Sequence, residues 1–161
     1  MTANVIGNNY IKGEVFIPRS IIYQSQEFLI VNISKGSFKD SSDIKTVKFP
    51  SNSFIQTIEE ESFAFSTIES ISIPSQVKKI GEKSFYFCSK MKNIIIPNDS
   101  QLQVIEKEAF RGTLIENIFI PSTLSDLQDG WCSGMSKLKN ITINPENKHY
   151  KYQELKKNNR W

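Results

Sequence analysis

The residues able to do covalent or metal chemistry are few in this sequence and far apart. Histidine occurs once, at His149, and cysteine twice, at Cys88 and Cys132. A nucleophilic triad needs a histidine beside a serine or cysteine, and a structural zinc site needs about four His or Cys ligands at close spacing. Neither pattern is present. We therefore predict that the protein is not an enzyme and has no cofactor and no metal site.

The densest group of carboxylates is the run Glu59, Glu60 and Glu61, just before Phe63. Such oxygen ligands could hold a hard cation such as Ca²⁺. Their position at a predicted turn favours a solvated loop over a cation site. No glycine-rich phosphate loop is found elsewhere in the sequence.

The composition is that of one folded domain whose body has no net charge. The chain has 161 residues, of which 39% are hydrophobic, and this is enough for a single core. Residues 1–145 contain 15 Lys and Arg against 15 Asp and Glu, so the net charge of +3 comes from the last sixteen residues. A neutral body argues against nucleic-acid binding, which needs a clustered basic face. The sequence has no run of 18 apolar residues to span a membrane and no recognisable signal peptide.

The sequence repeats itself every 23 or 24 residues. Each repeat contains three apolar residues at relative positions 1, 4 and 6, usually followed by a proline. The prolines are Pro18, Pro50, Pro74, Pro97 and Pro121, at intervals of 32, 24, 23 and 24 residues. From Pro50 onward, an apolar residue follows each proline by six or eight places. An aromatic residue stands five places later in three repeats, at Phe63, Phe85 and Phe110.

The long first interval fits the same rule if about nine residues near 20–29 are an insertion. Ile33 then stands five places before Phe38, as in the later repeats. Val15 and Ile17 resemble the end of one more triplet. The sequence thus predicts six strand-like segments. We assign residues 1–147 to a repeat domain of about five repeats with a partial one at the N-terminus, and residues 148–161 to a basic C-terminal tail.

A fixed period of this length predicts a solenoid, in which each repeat forms one coil. The triplet suits a short β-strand, and the following proline, which lacks an N–H group, ends it. One coil cannot bury its own apolar residues. Stacking places parallel strands about 4.8 Å apart and aligns the phenylalanines, each contributing about 2 kcal/mol by burial. We predict a right-handed coil, with a parallel β-sheet on the concave face and short turns or 3-10 segments on the convex side.

The same geometry predicts the state of the cysteines. Cys88 and Cys132 lie nearly two coils apart, at least about 9 Å, whereas a disulfide requires Cα atoms within about 7 Å. We therefore predict two buried thiols. Glycosylation sequons occur at Asn32, Asn98 and Asn140, a number close to chance and no evidence of secretion.

One repeated phrase reads Ile-x-Ile-Pro-x-x-Val-x-x-Ile-Gly-x-x-x-Phe-x-x-Cys. It is found in Ile94, Ile96 and Pro97, and in Pro74, Val77, Ile80, Gly81, Phe85 and Cys88. This phrase resembles the BspA-like leucine-rich repeat family over about residues 10–147. Many members are surface antigens of bacteria and anaerobic protists. The resemblance implies a leucine-rich repeat solenoid, located at the cell surface or secreted, that binds a host, matrix or cell-surface protein. In the last repeat Cys132 replaces the aromatic residue, as in a capping repeat.

In such a solenoid the residues between the buried strand positions point outward from the concave sheet. One outward row is Thr46, Ser70, Asn93, Asn117 and Asn140, and the row beside it is Lys48, Ser72, Ile95, Phe119 and Thr142. Ile95 and Phe119 are apolar where solvent is expected, and the asparagines form a polar ladder. We predict a partner-binding surface made of Lys48, Asn93, Ile95, Asn117, Phe119, Asn140 and Thr142.

Simpler explanations exist for both features. The three asparagines could bond one another, and Ile95 and Phe119 could reflect strand propensity alone. A glycan on Asn140 would obstruct the proposed surface. The predicted function is a non-enzymatic protein-binding module of the cell-surface adhesion or antigen type. The alternative is an intracellular scaffold or adaptor, consistent with free cysteines and the lack of a recognisable signal peptide.

Overall fold

The computed structural model describes residues 1–6 and 12–151, and within these ranges it contains strands and turns but no helix. The part of the predicted basic tail beyond residue 151 lies outside the described residues. The strands are β1 Thr2–Val5, β2 Gly13–Phe16, β3 Ser20–Tyr23, β4 Gln26–Ile33, β5 Ile44–Lys48, β6 Thr57–Ile58, β7 Ser70–Ser72, β8 Lys79–Ile80, β9 Asn93–Ile95, β10 Val104–Ile105, β11 Asn117–Ile120, β12 Asp126–Leu127 and β13 Asn140–Ile143.

Six of these strands, one from each coil, form the concave face. Strands β2, β5, β7 and β9 make one parallel sheet, and β11 and β13 pair in parallel beside it. They correspond to the six strand-like segments predicted from the sequence, and the predicted parallel solenoid is confirmed. Strand β11 lies next to β9 without a regular ladder between them.

A second parallel sheet, in the order β1-β4-β6-β8-β10-β12, forms another side of the coils. Most of its strands are only two residues long, and their inward side chains are Ile33, Ile58, Ile80 and Ile105, all fully buried. These belong to the apolar positions that stand five places before the aromatic residues. The sequence predicted them to be buried, but it did not predict that they form a sheet.

The extra residues near 20–29 form a β-hairpin. Strand β3 pairs antiparallel with β4, with Tyr23 opposite Gln26. The two turn residues, Gln24 and Ser25, both have positive φ, at 48° and 61°, as a type I′ turn requires. The rest of β4 pairs in parallel with β1 and β6, so the hairpin leaves the stacking of the coils intact.

The core is one continuous cluster with a column of phenylalanine rings along its axis. Phe38, Phe63, Phe85 and Phe110 are each at most 1% exposed, with neighbouring ring centroids 5.0 to 5.4 Å apart. Trp131 meets the last ring edge-on at 83°. The column therefore ends in the last coil, as its replaced aromatic position predicted.

The convex side is made of turns that alternate between ordinary and left-handed backbone. The residues two places before and two places after the column position have positive φ in successive coils. They are Gly36 and Asp40, Glu61 and Phe65, Lys83 and Phe87, Glu108 and Gly112, and Gly130 and Gly134. This alternation turns backbone N–H groups toward carbonyl groups of the next coil, as in the bonds from Phe63 to Ser84 and from Phe65 to Tyr86.

The C-terminal end of the solenoid is closed by two side chains. The Asn147 amide donates to the carbonyls of Pro121 and Leu124 at 2.6 and 3.0 Å. The Tyr150 hydroxyl accepts from the backbone N–H of Leu127 at 2.8 Å, and thereby occupies a donor at the edge of the second sheet. These bonds satisfy three backbone polar groups at this end of the solenoid without a further coil.

Candidate partner-binding groove

A groove of about 470 Å³ crosses the concave face over strands β5, β7 and β9. It is lined chiefly by the outward residues of these strands and by the prolines that follow them. The outward residues are Thr46, Lys48, Ser70, Ser72, Asn93 and Ile95, and the prolines are Pro50, Pro74 and Pro97. Three successive coils therefore contribute equivalent positions to one surface.

The lining is rich in uncommitted hydrogen-bonding groups. Within the described part of the chain, no hydrogen bond joins the side chains of Thr46, Ser70, Ser72 or Asn93 to another protein group. Hydroxyl and amide groups can both donate and accept. This part of the groove can therefore bond a polar ligand without first breaking contacts inside the protein.

Ile95 adds an apolar contact to the same surface. It is 60% exposed, whereas its neighbours Ile94 and Ile96 are 8% and 6% exposed. The alternation confirms the strand register read from the sequence, because successive side chains of a strand point to opposite faces.

The predicted site residues fall into two groups. Lys48, Asn93 and Ile95 line the groove. Asn117 and Phe119 on β11, and Asn140 and Thr142 on β13, belong to the adjoining strand pair and lie outside the groove lining.

Phe119 differs from the expectation that it lies in solvent like Ile95. It is only partly exposed and packs against the core. The exposed aromatic residue of this row is instead Phe16, at 61%, which is paired with Lys48 on the neighbouring strand.

The predicted asparagine ladder is only partly formed. The Asn140 amide donates to Oδ1 of Asn117 at 2.8 Å, so these two side chains satisfy each other. Asn93 lies on β9, which forms no regular hydrogen-bond ladder with β11, and it is paired in register with Ser70 on β7. Asn93 is therefore the ladder residue left free for a ligand.

The groove is close to neutral, and a charged row borders it. The lining contains one cation, Lys48, and one anion, Asp99, and therefore carries no net charge. Lys48 also pairs with Glu14 on β2 at 2.6 Å. At the start of the concave strands, successive coils carry Lys45, Glu69, Lys92, Glu116 and Lys139. A hydrogen bond from Lys139 lowers the pKa of Glu116, and the nearby Lys137 and Lys92 act in the same direction. We call these five residues the charge row. Its alternating signs place opposite charges on neighbouring coils, and Lys139 pairs with Glu116 at 2.7 Å.

The two thiols are part of the buried core. Cys88 and Cys132 are buried and free, as predicted; burial raises the pKa of each thiol to about 12, so neither is a nucleophile near neutral pH. Within residues 1–6 and 12–151, no cluster of three or more His, Cys, Asp and Glu side chains could hold a metal ion.

The acidic run is bonded to the preceding coil. Glu59 accepts from the backbone N–H of Lys35 at 2.9 Å, Glu60 pairs with the Lys35 ammonium at 2.8 Å, and Glu61 pairs with Lys39 at 2.8 Å. These carboxylates tie adjacent coils together, a role that was not apparent in the sequence.

Sequence reasoning also missed an exposed aromatic cluster on the convex side, made of Phe65, Tyr86 and Phe87. A signal was available, since Phe65 and Phe87 both stand two places after a column phenylalanine. The period would have placed them on adjacent coils.

A family model described as "BspA type Leucine rich repeat region" matches residues 9–139 in six copies. The chain belongs to the BspA-type leucine-rich repeat family. The matched residues contain five of the six concave strands, β2, β5, β7, β9 and β11, and β13 follows directly after them. The fold buries the apolar residues of the repeated phrase. No curated protein matches the sequence significantly.

Solved structures of other leucine-rich repeat proteins are similar to this BspA-type chain. A leucine-rich repeat protein from Bacteroides ovatus is 29% identical with a TM-score of 0.72, over 80% of this chain and 33% of that one. The pneumococcal vaccine antigen PcpA is 20% identical with a TM-score of 0.72, over 84% and 41%. The T. pallidum leucine-rich repeat protein TpLRR is 20% identical with a TM-score of 0.71, over 80% and 57%. This chain thus matches about a third to somewhat over half of each neighbour. None of its described residues forms a helix able to cross a membrane.

Proposed function

We propose that this BspA-type solenoid is a non-enzymatic binding module that engages a protein partner through its concave face. The observation that carries the proposal is the groove over β5, β7 and β9, where uncommitted hydroxyl and amide groups surround the exposed Ile95. A solenoid offers its longest regular surface on this face. A protein partner could bury the Ile95 side chain and form hydrogen bonds with the polar groups around it, as the apolar core and polar rim of an interface do.

The proposed partner is a host, matrix or cell-surface protein. The support is the family and the description of one structural neighbour as a vaccine antigen. Antibody labelling of intact and permeabilised cells tests the location. Labelling of intact cells supports the surface assignment, and labelling only after permeabilisation supports the intracellular scaffold instead.

Substitution on the concave face tests the binding surface. Immobilised matrix proteins are screened with the purified chain, and any binder is measured again with the variant Ile95→Ala/Phe119→Ala and with Ser72→Arg, which fills the groove. We expect at least tenfold weaker binding by both variants, and no change for Ile22→Ala, an exposed control in the hairpin. Unchanged binding by both folded concave-face variants contradicts the concave-face assignment.

A further inference from the structure

The convex aromatic cluster has a geometry of its own, away from the concave groove. Phe65 and Phe87 lie on successive coils with parallel planes, 10° apart, and centroids separated by 6.2 Å. Tyr86 meets both rings edge-on, at 5.4 and 4.7 Å. Phe65 is 48% exposed and Phe87 is 43% exposed. The three rings thus hold one another in place and leave an apolar surface open to solvent.

The backbone at both phenylalanines is strained. Phe65 has φ 59° and Phe87 has φ 50°, a region that bulky side chains rarely adopt. The same position in the other coils is Asp40, Gly112 or Gly134, all residue types that tolerate this conformation. Because these rings stay nearly half exposed, their burial offsets little of the free energy of this strain. The same turns place Glu61, Lys83 and Glu108 at positive φ, so left-handed backbone is a regular feature of the coil. Phe65 and Phe87 differ from these residues in carrying bulky apolar rings that are stacked and nearly half exposed.

The next coil is shaped to support the cluster. The Phe87 ring lies over Gly112, where a Cβ atom would come within 2.9 Å of the ring. The Arg111 guanidinium lies 5.9 Å from the centre of the Tyr86 ring. The position of Phe87 thus depends on a glycine in the neighbouring coil.

The charges around the cluster are paired with one another. Lys83 pairs with Glu82 at 3.2 Å and with Glu108 at 3.8 Å, and Arg111 also pairs with Glu108. On the preceding coil Lys39 pairs with Glu61 at 2.8 Å. Charge complementarity therefore favours an uncharged partner.

We propose that Phe65, Tyr86 and Phe87 form a second docking site, which takes an uncharged apolar peptide segment of another protein. A second copy of this chain is a poor fit, because three side chains cover far less than the roughly 20 to 30 residues per side of a standard protein interface. A sugar is also a poor fit, because its several hydroxyl groups need polar partners. The cluster offers one hydroxyl, that of Tyr86, and the charged groups at the rim are paired with one another. The site goes beyond the proposed concave-face function and does not depend on it.

A phage-displayed library of random twelve-residue peptides tests the proposal, with the whole chain as the target. The affinities of enriched peptides are compared for the wild type, Phe65→Asn/Phe87→Asn and Tyr86→Ala. Asparagine tolerates the left-handed backbone, and Tyr86→Ala removes one ring from an unstrained position. We expect enriched peptides to be uncharged and apolar, and to bind at least tenfold more weakly to the double variant and several-fold more weakly to Tyr86→Ala. Ile95→Ala, on the concave face, should leave their affinity unchanged.

Stability provides the second readout. We expect the urea midpoint of Phe65→Asn/Phe87→Asn to equal or exceed that of the wild type, because strain is removed. A clearly lower midpoint shows that the rings serve the fold and overturns the proposal. Enrichment of charged peptides, full affinity for both cluster variants, or no enriched peptide at all also overturns it. Cluster-dependent binding on a glycan array, without peptide binding, assigns a different ligand class and overturns it too. If the concave variants lose a partner while these tests fail, only the second site is rejected.

Discussion

The Phe85 ring lies 5.1 Å from the Phe63 ring, with the two planes 2° from parallel, and both side chains are fully buried. Each ring therefore packs between coils as well as within one. The coils are linked by the same apolar column that fills them, so a defect in the column affects the interface on both of its sides.

Phe85→Ala should accordingly destabilise the protein by about 3 to 5 kcal/mol, the usual cost of removing a buried phenylalanine. Urea unfolding followed by circular dichroism measures this change. Phe16→Ala is the matched control, since Phe16 is mainly exposed and its loss should cost within about 0.5 kcal/mol. Equal effects of the two substitutions would contradict the column.

The adjacent residues Ile94 and Ile95 provide a test of the strand register. Ile94→Ala should cost about 2 to 5 kcal/mol because the side chain is buried, whereas Ile95→Ala should change stability by less than about 0.5 kcal/mol because its side chain faces solvent. Denaturant titration of the two variants measures the difference. A reversed order of the two costs would mean that β9 presents the opposite face.

Removal of the Tyr150 hydroxyl tests the C-terminal closure. In Tyr150→Phe, the bonds to the Leu127 N–H and the Ser125 carbonyl are lost, which should cost about 1 kcal/mol. Amide hydrogen exchange at Leu127 should become faster. Tyr23→Phe, in the exposed hairpin, is the control and should change neither quantity. Unchanged exchange at Leu127 would show that Tyr150 does not protect this edge.

The buried thiols predict a loss of stability at alkaline pH. Burial raises the pKa of Cys88 to about 12 from its ordinary 9.0, so the unfolded chain loses this proton first as the pH rises. Stability is thus fully present below about pH 9 and decreases between about pH 9 and pH 12, by about 1.4 kcal/mol per pH unit for each such thiol.

Urea titrations at several pH values measure this slope. Cys88→Ala should have a shallower slope than the wild type above pH 9, leaving the contribution of Cys132. In the native state at pH 7 both thiols should resist iodoacetamide, and both should react once urea is added. Equal slopes for wild type and variant, or fast alkylation of the native protein, would contradict the buried assignment.

Much of the architecture could be predicted because each apolar position recurs with the period of the coil. The buried residues Ile94 and Phe85 and the outward direction of Ile95 all follow from the count. The second sheet could not be predicted, since two-residue strands such as Lys79–Ile80 have too little sequence to show an alternating pattern.

The polar part of the surface was harder to predict because it depends on pairing between coils. Asn93, Asn117 and Asn140 occupy equivalent positions, yet only the last two bond each other, because the ladder is interrupted after β9. Glu59 likewise stands in an apparent loop run but bonds the backbone of the coil before it. Such contacts depend on distances that a period alone does not define.

The charge row has a consequence for changing the length of this protein. Its signs alternate from coil to coil, and the repeat lengths alternate between 24 and 23 residues from Pro50 to Pro121. Deleting or duplicating a single coil would put like charges side by side and join two turns of the same length. A block of two coils, 47 residues from Pro50 to Pro97 or from Pro74 to Pro121, preserves both patterns. The modular unit for engineering a longer or shorter version is therefore a pair of coils.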